Sequence, residues 1–493
     1  LNIIGLTTDN MLNNLSMNSG TLNLINDNVN NLSANSFNLT GEVNLLLDVD
    51  LASSSMDRLP TTTTVSTGFI NVKGLNLLSD SIETNTYIPF AYDSFKDSVR
   101  TDITQVGKDT ENIYQTTAYA PIYKYNVSYN PNDGTFLFAR GGGSSSIDFN
   151  PAILASSVSS QVGTYTAINE TFSYAFRHAD YSFTPLPQII RKAITNQYAI
   201  QDSQIKSLKS SGFWYQPYAT FEHMDLSNGP KVNVKSYGGV AGEDSAYLKL
   251  KHGWGTVITP YIAYNGSSQH YSGVSTDTNG GILGLTQSFY KNNFFTAITV
   301  NAGANFGESH TMYGYENFTT LMASVANKAG YTFEFSDGIF IIQPTYQLSY
   351  SFINTFDYTN AADVKIESEP LHIVQIQPAV KFVSNLQNFW QPYASVSTAL
   401  NLLNDTKVTA NDVSLPQMSI EPYIEYGFGI QKIYQDKFTG FAQAMIRDGG
   451  RNGVALRLGF KLMLGQSNKS ITEPPAPPVV DKVAIYKLMY GSE

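Results

Sequence analysis

Cysteine is absent from this chain of 493 residues, and charge is scarce: Asp, Glu, Lys and Arg make up 14% of it, against about 25% in an average globular domain. The first absence removes disulfides and thiolate-ligated metals. It also suits a chain that crosses an oxidising compartment without becoming cross-linked. No stretch approaches the ~18 consecutive apolar residues that a membrane-crossing helix needs. A net charge of −10 argues against nucleic acid as a partner. No HExxH, P-loop or dinucleotide-type glycine run is present, and the six histidines are scattered, so no metal or organic cofactor is implied. The chain starts at Leu1 without the basic and apolar leader of an exported protein, and is read as a mature form or fragment lacking its N-terminal part.

What fills the deficit is Asn, Ser, Thr and Gly with 31 Tyr and 28 Phe, so the mean hydropathy is only −0.16. From Gly212 to Leu464 these residues repeat one unit, an alternating apolar/polar run of about ten residues ended by a turn, twelve times over. In 418–430, Met418, Ile420, Pro422, Ile424, Tyr426, Phe428 and Ile430 share one face, and Ser419, Glu421, Tyr423, Glu425, Gly427 and Gly429 the other. In the last run Val454, Leu456, Leu458, Phe460, Leu462 and Leu464 oppose Arg457 and Lys461, and from Ile342 to Phe352 the same two-residue period holds. A soluble sandwich with one wet face alternates equally well. The connections decide between the two. Short turns follow the even-numbered runs (Lys291–Asn293, Ser336–Gly338, Leu386–Asn388, Gln435–Lys437). Mostly longer polar segments follow the odd ones (Asp225–Lys231, Tyr271–Gly280, Glu308–Glu316, Asn354–Glu369, Asn404–Pro416), and only the last, Asp448–Gly453, is brief. That sorting, with an even strand number, predicts a 12-stranded antiparallel transmembrane β-barrel. A charge facing lipid at mid-depth costs about 2–4 kcal/mol, which assigns Glu421, Glu425, Arg457 and Lys461 to the lumen.

Pro-Tyr recurs at Pro217-Tyr218, Pro260-Tyr261, Pro392-Tyr393 and Pro422-Tyr423, with Pro in the lipid phase and Tyr in the lumen phase. Proline inside a sheet marks strand starts or bulges. Aromatic clusters (Phe213, Trp214, Tyr215; Phe294, Phe295; Phe389, Trp390) are expected as interfacial girdles.

Upstream, Gly141–Ser146 is a flexible break, followed by Asn150-Pro151, a capping residue and a proline at the first helical position. Leu154, Val158, Val162, Tyr165, Ile168, Phe172 and Phe176 then recur near helical spacing among Ala, Ser, Thr and Gly. A helix over 151–178 would reach roughly 42 Å, enough to thread a hydrocarbon layer of about 30 Å. Residues 1–140 are Asn-rich with short apolar beats such as Val43, Leu45, Leu47, Val49 and Leu51, read as a parallel β-solenoid. Tyr123–Tyr129, Asn130–Gly134 and Thr135–Ala139 read as its closing hairpin.

The order flexible break, helix, twelve strands, with Phe438-Thr-Gly-Phe-Ala-Gln-Ala and Gly449-Gly-Arg-Asn-Gly-Val-Ala-Leu-Arg-Leu-Gly-Phe near the end, resembles the translocator of monomeric autotransporters over about residues 148–464. The resemblance implies an outer-membrane barrel of a Gram-negative bacterium, carrying the linker helix in its lumen and delivering its N-terminal passenger outside by type V secretion. It implies outer-membrane lipid, periplasmic chaperones and the barrel-assembly machinery as partners, and the chain is expected to be a monomer and not an enzyme. Gly459, Leu462 and Leu464 occupy the family's assembly-signal spacing, with leucines where the family has aromatics. The expected division is a passenger stem at 1–140, a linker at 141–211 with the pore helix 151–178, the barrel at 212–464, and a Pro-rich tail at 465–493. The leading function is delivery of the passenger, an adhesin or other effector, to the surface. The alternatives are a porin-like diffusion channel and a rim hydrolase built on His223, His270 or His310.

Overall fold

The computed structural model describes residues 12–101, 104–105, 113–114, 117–181, 211–245, 248–336, 339–386, 390–434 and 438–463. Leu464, Phe389 and the segment 465–493 lie outside them, as does most of 179–211. No described helix is long and apolar enough to cross a membrane. Crossing is done by strands.

Twelve long antiparallel strands close on themselves. They are β1 (Gly212–Ser227), β2 (Lys231–Asp244), β3 (Gly255–Tyr271), β4 (Val274–Lys291), β5 (Phe294–Thr311) and β6 (Gly314–Tyr331). Then come β7 (Phe340–Thr355), β8 (Leu371–Ser384), β9 (Trp390–Leu403), β10 (Tyr423–Tyr434), β11 (Phe438–Gly449) and β12 (Arg451–Met463). Strand β1 pairs with β2 on one side and β12 on the other, which leaves the sheet without an edge. Closure is what lets every strand's backbone be satisfied in hydrocarbon. The two-residue period sorts the faces: Ile262, Leu283, Ile298, Phe428 and Leu458 are exposed outside, while Gln216, Thr299, Gln347 and Gln431 are buried inside.

The wall is uneven in height. Strands β4 to β6 have 18 residues each, β10 and β11 only 12. Two segments expected as external loops, Tyr271–Gly280 and Glu308–Glu316, are therefore mostly strand, joined by the tight turns Ser272-Gly273 and Met312-Tyr313. Ser272 (φ 44°) and Gly273 (φ 80°) supply the left-handed backbone a two-residue hairpin demands. Alternation simply continues through the polar residues, so polarity there marks height above the bilayer and not a loop.

Two other expectations fail for physical reasons. Met418 and Ile420 do not face lipid, because β10 begins at Tyr423. The residues before it cross the barrel mouth, where Ser419–Ile420 pairs with Leu226 and Ser227 of β1, and both apolar side chains are buried. Trp214 and Phe295 are also buried, whereas their neighbours Phe213 and Tyr215 are exposed. Consecutive aromatics in a strand cannot all join a girdle, because every second one points inward.

The proline phase is instructive. Pro422 precedes β10 and Pro392 is the third residue of β9. Pro217 falls where the β1–β12 ladder skips from Tyr215↔Phe460 to Tyr218↔Arg457. Pro260 lies one residue past the last β2–β3 rung, Gly242↔Tyr261. Each sits where a ladder ends or skips.

The N-terminal unit is a β-solenoid of about 3 turns. Leu12–Met17, Ala34–Leu39 and Thr63–Val65 form one parallel sheet. Gly20–Asn23, Glu42–Asp50, Phe69–Ser79 and Val99–Thr101 form the other. Leu22, Val43, Leu45, Leu47, Ile70, Val72 and Phe37 fill the space between them. Gly20 pairs with Val43, Val43 with Ile70, and Ile70 with Val99, so successive turns lengthen. That lengthening explains why the sequence shows beats but no fixed period. Asn85–Pro89, Thr135–Arg140, Lys124–Asn130 and Thr117–Tyr119 make an antiparallel sheet that covers the last turn.

Candidate functional site: the helix-filled pore

One continuous helix runs from Pro151 into the lumen. It opens with a 3-10 turn at Pro151–Leu154, continues as α-helix at Ala155–Ser159, relaxes into one π turn at Ser160–Thr164, and resumes as α-helix over Tyr165–Tyr181. Asn150 caps it, accepting at Oδ1 from the Ala152 N–H. The Asn150 amide also donates to the Ala120 carbonyl (2.8 Å) and to Tyr313 Oη (3.0 Å). One side chain thus ties the stem's cap, the helix start and the barrel rim together. Tyr271 Oη donates to the Pro151 carbonyl beside it.

Leu154, Val158, Val162, Tyr165, Ile168, Phe172 and Phe176 are all buried, and so are Ser156, Ser157, Ser159, Ser160, Thr164 and Thr166 on the other sides. The helix is enclosed all round, which a stripe of apolar residues alone does not imply. Its small residues let the wall approach: a Cβ on Gly163 would lie 2.6 Å from Gln269 Nε2. Polar wall groups meet it through hydrogen bonds, among them Asn305 to Thr164 Oγ1 (3.0 Å), Tyr165 Oη to Asn401 Oδ1 (2.6 Å) and Tyr174 Oη to the Pro217 carbonyl (3.1 Å).

The strongest contacts centre on Glu170, the only charged residue between 151 and 176. Its carboxylate accepts from Arg457 Nε (3.0 Å) and Nη2 (3.1 Å) and from Arg447. Arg457 also binds Glu425 (3.0 Å), which accepts from Arg447 Nε (2.7 Å). Arg447 reaches Glu222 as well, and Arg451 forks onto Glu222 through Nε (2.7 Å) and Nη2 (2.9 Å). All six side chains are buried. Removing so many charges from water costs several kcal/mol per ion before pairing offsets it. A buried network of this kind is weak evidence for added stability. Here it links Glu170 of the helix, through Arg447 and Arg457, to β1, β10, β11 and β12. Lys461 belongs to a separate pair with Asp244 (2.6 Å), which also accepts from Thr259 (2.7 Å). Beside the helix a cavity of about 110 Å³ remains, lined by Ser173, Lys328, Gln347, Lys381 and Arg457 among others.

Of the residues assigned to the lumen, Glu425, Arg457 and Lys461 lie buried in it; Glu421 is exposed, in the segment ahead of β10. Glu170, Glu222, Arg447, Arg451 and Asp244 were missed. The inward phase of β1 (Gln216, Tyr218, Thr220) and of β11 (Gln443, Met445) extends directly to Glu222 and Arg447, so alternation could have found those two. Gly459 and Leu462 lie on β12, where Phe441 pairs with Gly459 and Phe438 with Leu462; Leu462 is exposed on the outer wall. His223, His270 and His310 stand in one row through the pairs His223↔Asn233↔His270↔Ser275↔His310, but on the outer face of separate strands. Among the described residues no group of three or more His, Asp or Glu is placed to hold a metal.

A closed barrel, apolar outside and polar within, whose pore holds the helix preceding its first strand, defines a transmembrane β-barrel with a plugged lumen. Residues 213–445 match the family model of the autotransporter β-domain. The C-terminal half of this chain is an autotransporter β-domain, a type V secretion translocator of the Gram-negative outer membrane. No curated protein sequence matches the chain. Among solved structures it is similar to the β-domain of the Bordetella autotransporter BrkA (13% identity, 52% of this chain and 100% of that one, TM-score 0.43). It is also similar to the transport unit of AIDA-I from Escherichia coli (13%, 56% and 97%, 0.46) and the NalP translocator from Neisseria meningitidis (10%, 59% and 99%, 0.44).

Proposed function

We propose that this chain delivers its own N-terminal stem to the cell surface and holds it there, the stem serving as the stalk of an adhesin. The translocator itself performs no catalysis in this reading. The proposed division is stem 1–140, linker 141–211, barrel 212–464 and tail 465–493. What carries the reading is one uninterrupted path: the solenoid's cap rests on the rim through Asn150, Tyr313 and Ala120, and the helix continues into the pore to the Glu170 network. Turn-upon-turn folding of the solenoid outside favours outward movement without a nucleotide. A diffusion channel is disfavoured because the helix occupies the lumen, and a rim hydrolase because the three histidines are exposed on the outer wall with a strand between each and the next.

Deleting 151–178 is expected to leave the barrel in the membrane, strand residues 1–140 in the periplasm, and raise single-channel conductance. Protease shaving of intact cells reads the passenger, and planar bilayers read the pore. A passenger still shaved from outside in the deletion defeats the proposal.

A further inference from the structure

The low side of the barrel is roofed. The connection 356–370 carries a hairpin, Tyr358–Thr359 with Lys365–Ser368, and the connection 404–422 carries another, Val408–Ala410 with Val413–Ser414. The two hairpins join edge to edge through Ile366↔Ala410, Glu367↔Thr409 and Ser368↔Val408. The return limb of the second then crosses the mouth and adds Ser419–Ile420 to the end of β1. It fills the edge that β1 leaves above Met224, the last residue it pairs with β12. Val364, Ile366, Ala410, Leu415, Met418 and Ile420 turn inward and share one apolar core with Ile153 and Leu154 of the helix.

The helix grips this roof at its π turn. Gln161 Nε2 donates to the Met418 carbonyl (2.9 Å) and to the Asn404 carbonyl, so a single amide holds both limbs of the second connection. Both acceptors are carbonyls, which dictates that nitrogen, not oxygen, faces them. Ser160 Oγ contacts Thr355 Oγ1 (2.7 Å), where the first connection leaves β7. Asn401, held by Tyr165, and Asn404 both donate to the Ile420 carbonyl (3.1 and 2.9 Å). The extra residue of a π turn changes the angular phase of what precedes it; here the turn carries Ser160 and Gln161 together, toward the two connections.

We propose that the π turn Ser160–Thr164 is a seating latch: the roof over 356–370 and 404–422 closes only when the helix has reached the depth that brings Gln161 under Asn404 and Met418. Closure of the mouth then follows completion of passage and does not precede it. The proposal rests on the helix being the trailing segment of the delivered passenger.

The chain has no cysteine, so Glu367→Cys with Thr409→Cys can form one disulfide, and only with the roof closed. In full-length protein in the outer membrane, near-complete disulfide formation is expected with Gln161 present. With Gln161→Glu, which sets a carboxylate against two carbonyls, the yield is expected to fall severalfold. The conductance of the purified, reduced protein is expected to rise. Heat-modifiable mobility reports barrel closure; if Gln161→Glu prevents it, Gln161→Met, similar in length and without a donor, carries the same test. Disulfide yields that do not change in a closed barrel overturn the latch. Shaving of the passenger on the same cells separates the two readings: an exposed passenger with unchanged yield defeats the latch alone, whereas a passenger never exposed defeats the delivery reading beneath it.

Discussion

Two sets of buried charges behave oppositely, and both follow from who their partners are. In the pore, Arg447 serves Glu170, Glu222 and Glu425 at once. Arg447→Met strands carboxylates in a low-dielectric lumen, an error that costs about 3–5 kcal/mol. It is expected to lower the urea midpoint of the refolded barrel and to free the helix, seen as larger conductance. In the stem, Asp57 has no cationic partner among the described residues; it accepts from the Asn30 and Asp48 backbone N–H groups (both 2.7 Å). Burial pushes its carboxyl up from 3.8 to about 7, despite those bonds. Asp80, accepting from Ile122 and Tyr123, is pushed to about 6 by the same cause, and burial raises Asp48 too. A folded-state value above the unfolded one means the folded stem binds more protons in between. Its stabilising share is complete below about pH 4 and is lost as pH rises toward about 7. Protease resistance of the stem is therefore expected to fall from pH 5 to pH 8, and Asp57→Asn to flatten that profile. Glu425 and Arg457 were legible as non-lipid residues from alternation; that their partner would be Glu170, far back in the sequence, was not.

At the level of elements, the strands were legible because lipid on one side and a polar lumen on the other impose a strict two-residue rule. The helix was legible by its Asn-Pro start and its spacing. Its enclosure and its π turn were not, because both are responses to the wall. Gly163 shows the dependence: the wall touches it through Gln269, Ser267 and Thr278. Gly163→Val is expected to leave the barrel inserted but the helix unseated, with conductance approaching that of the 151–178 deletion. A helix set by its own propensity would accept valine without loss, because glycine is the poorer helix former of the two. The solenoid's lengthening turns blurred its period in the same way, since some of the extra residues sit inside the strand Phe69–Ser79, where the register slips twice against Glu42–Asp50.

Over the whole molecule, the outer wall decides where the protein can live. Leu283 stands exposed in register with Ile262 and Ala302, while Asp277 faces outward six residues nearer the rim of the same strand. Leu283→Lys is expected to cost about 2–4 kcal/mol of folding free energy in liposomes, and Asp277→Lys about 0–1, as depth in the bilayer dictates. Equal effects would place the bilayer elsewhere on the wall.

The one-dimensional pattern was enough to determine the barrel, its strand number, the threading helix and a solenoid ahead of them. Each arises from a local periodicity that a single solvent boundary enforces residue by residue. The tertiary structure alone decided the uneven wall, the roof across the low side, the depth of the helix and the charges that hold it. Those depend on residues far apart in sequence meeting in a closed cylinder, and no local periodicity records which strand a closing sheet will bring to the opposite wall.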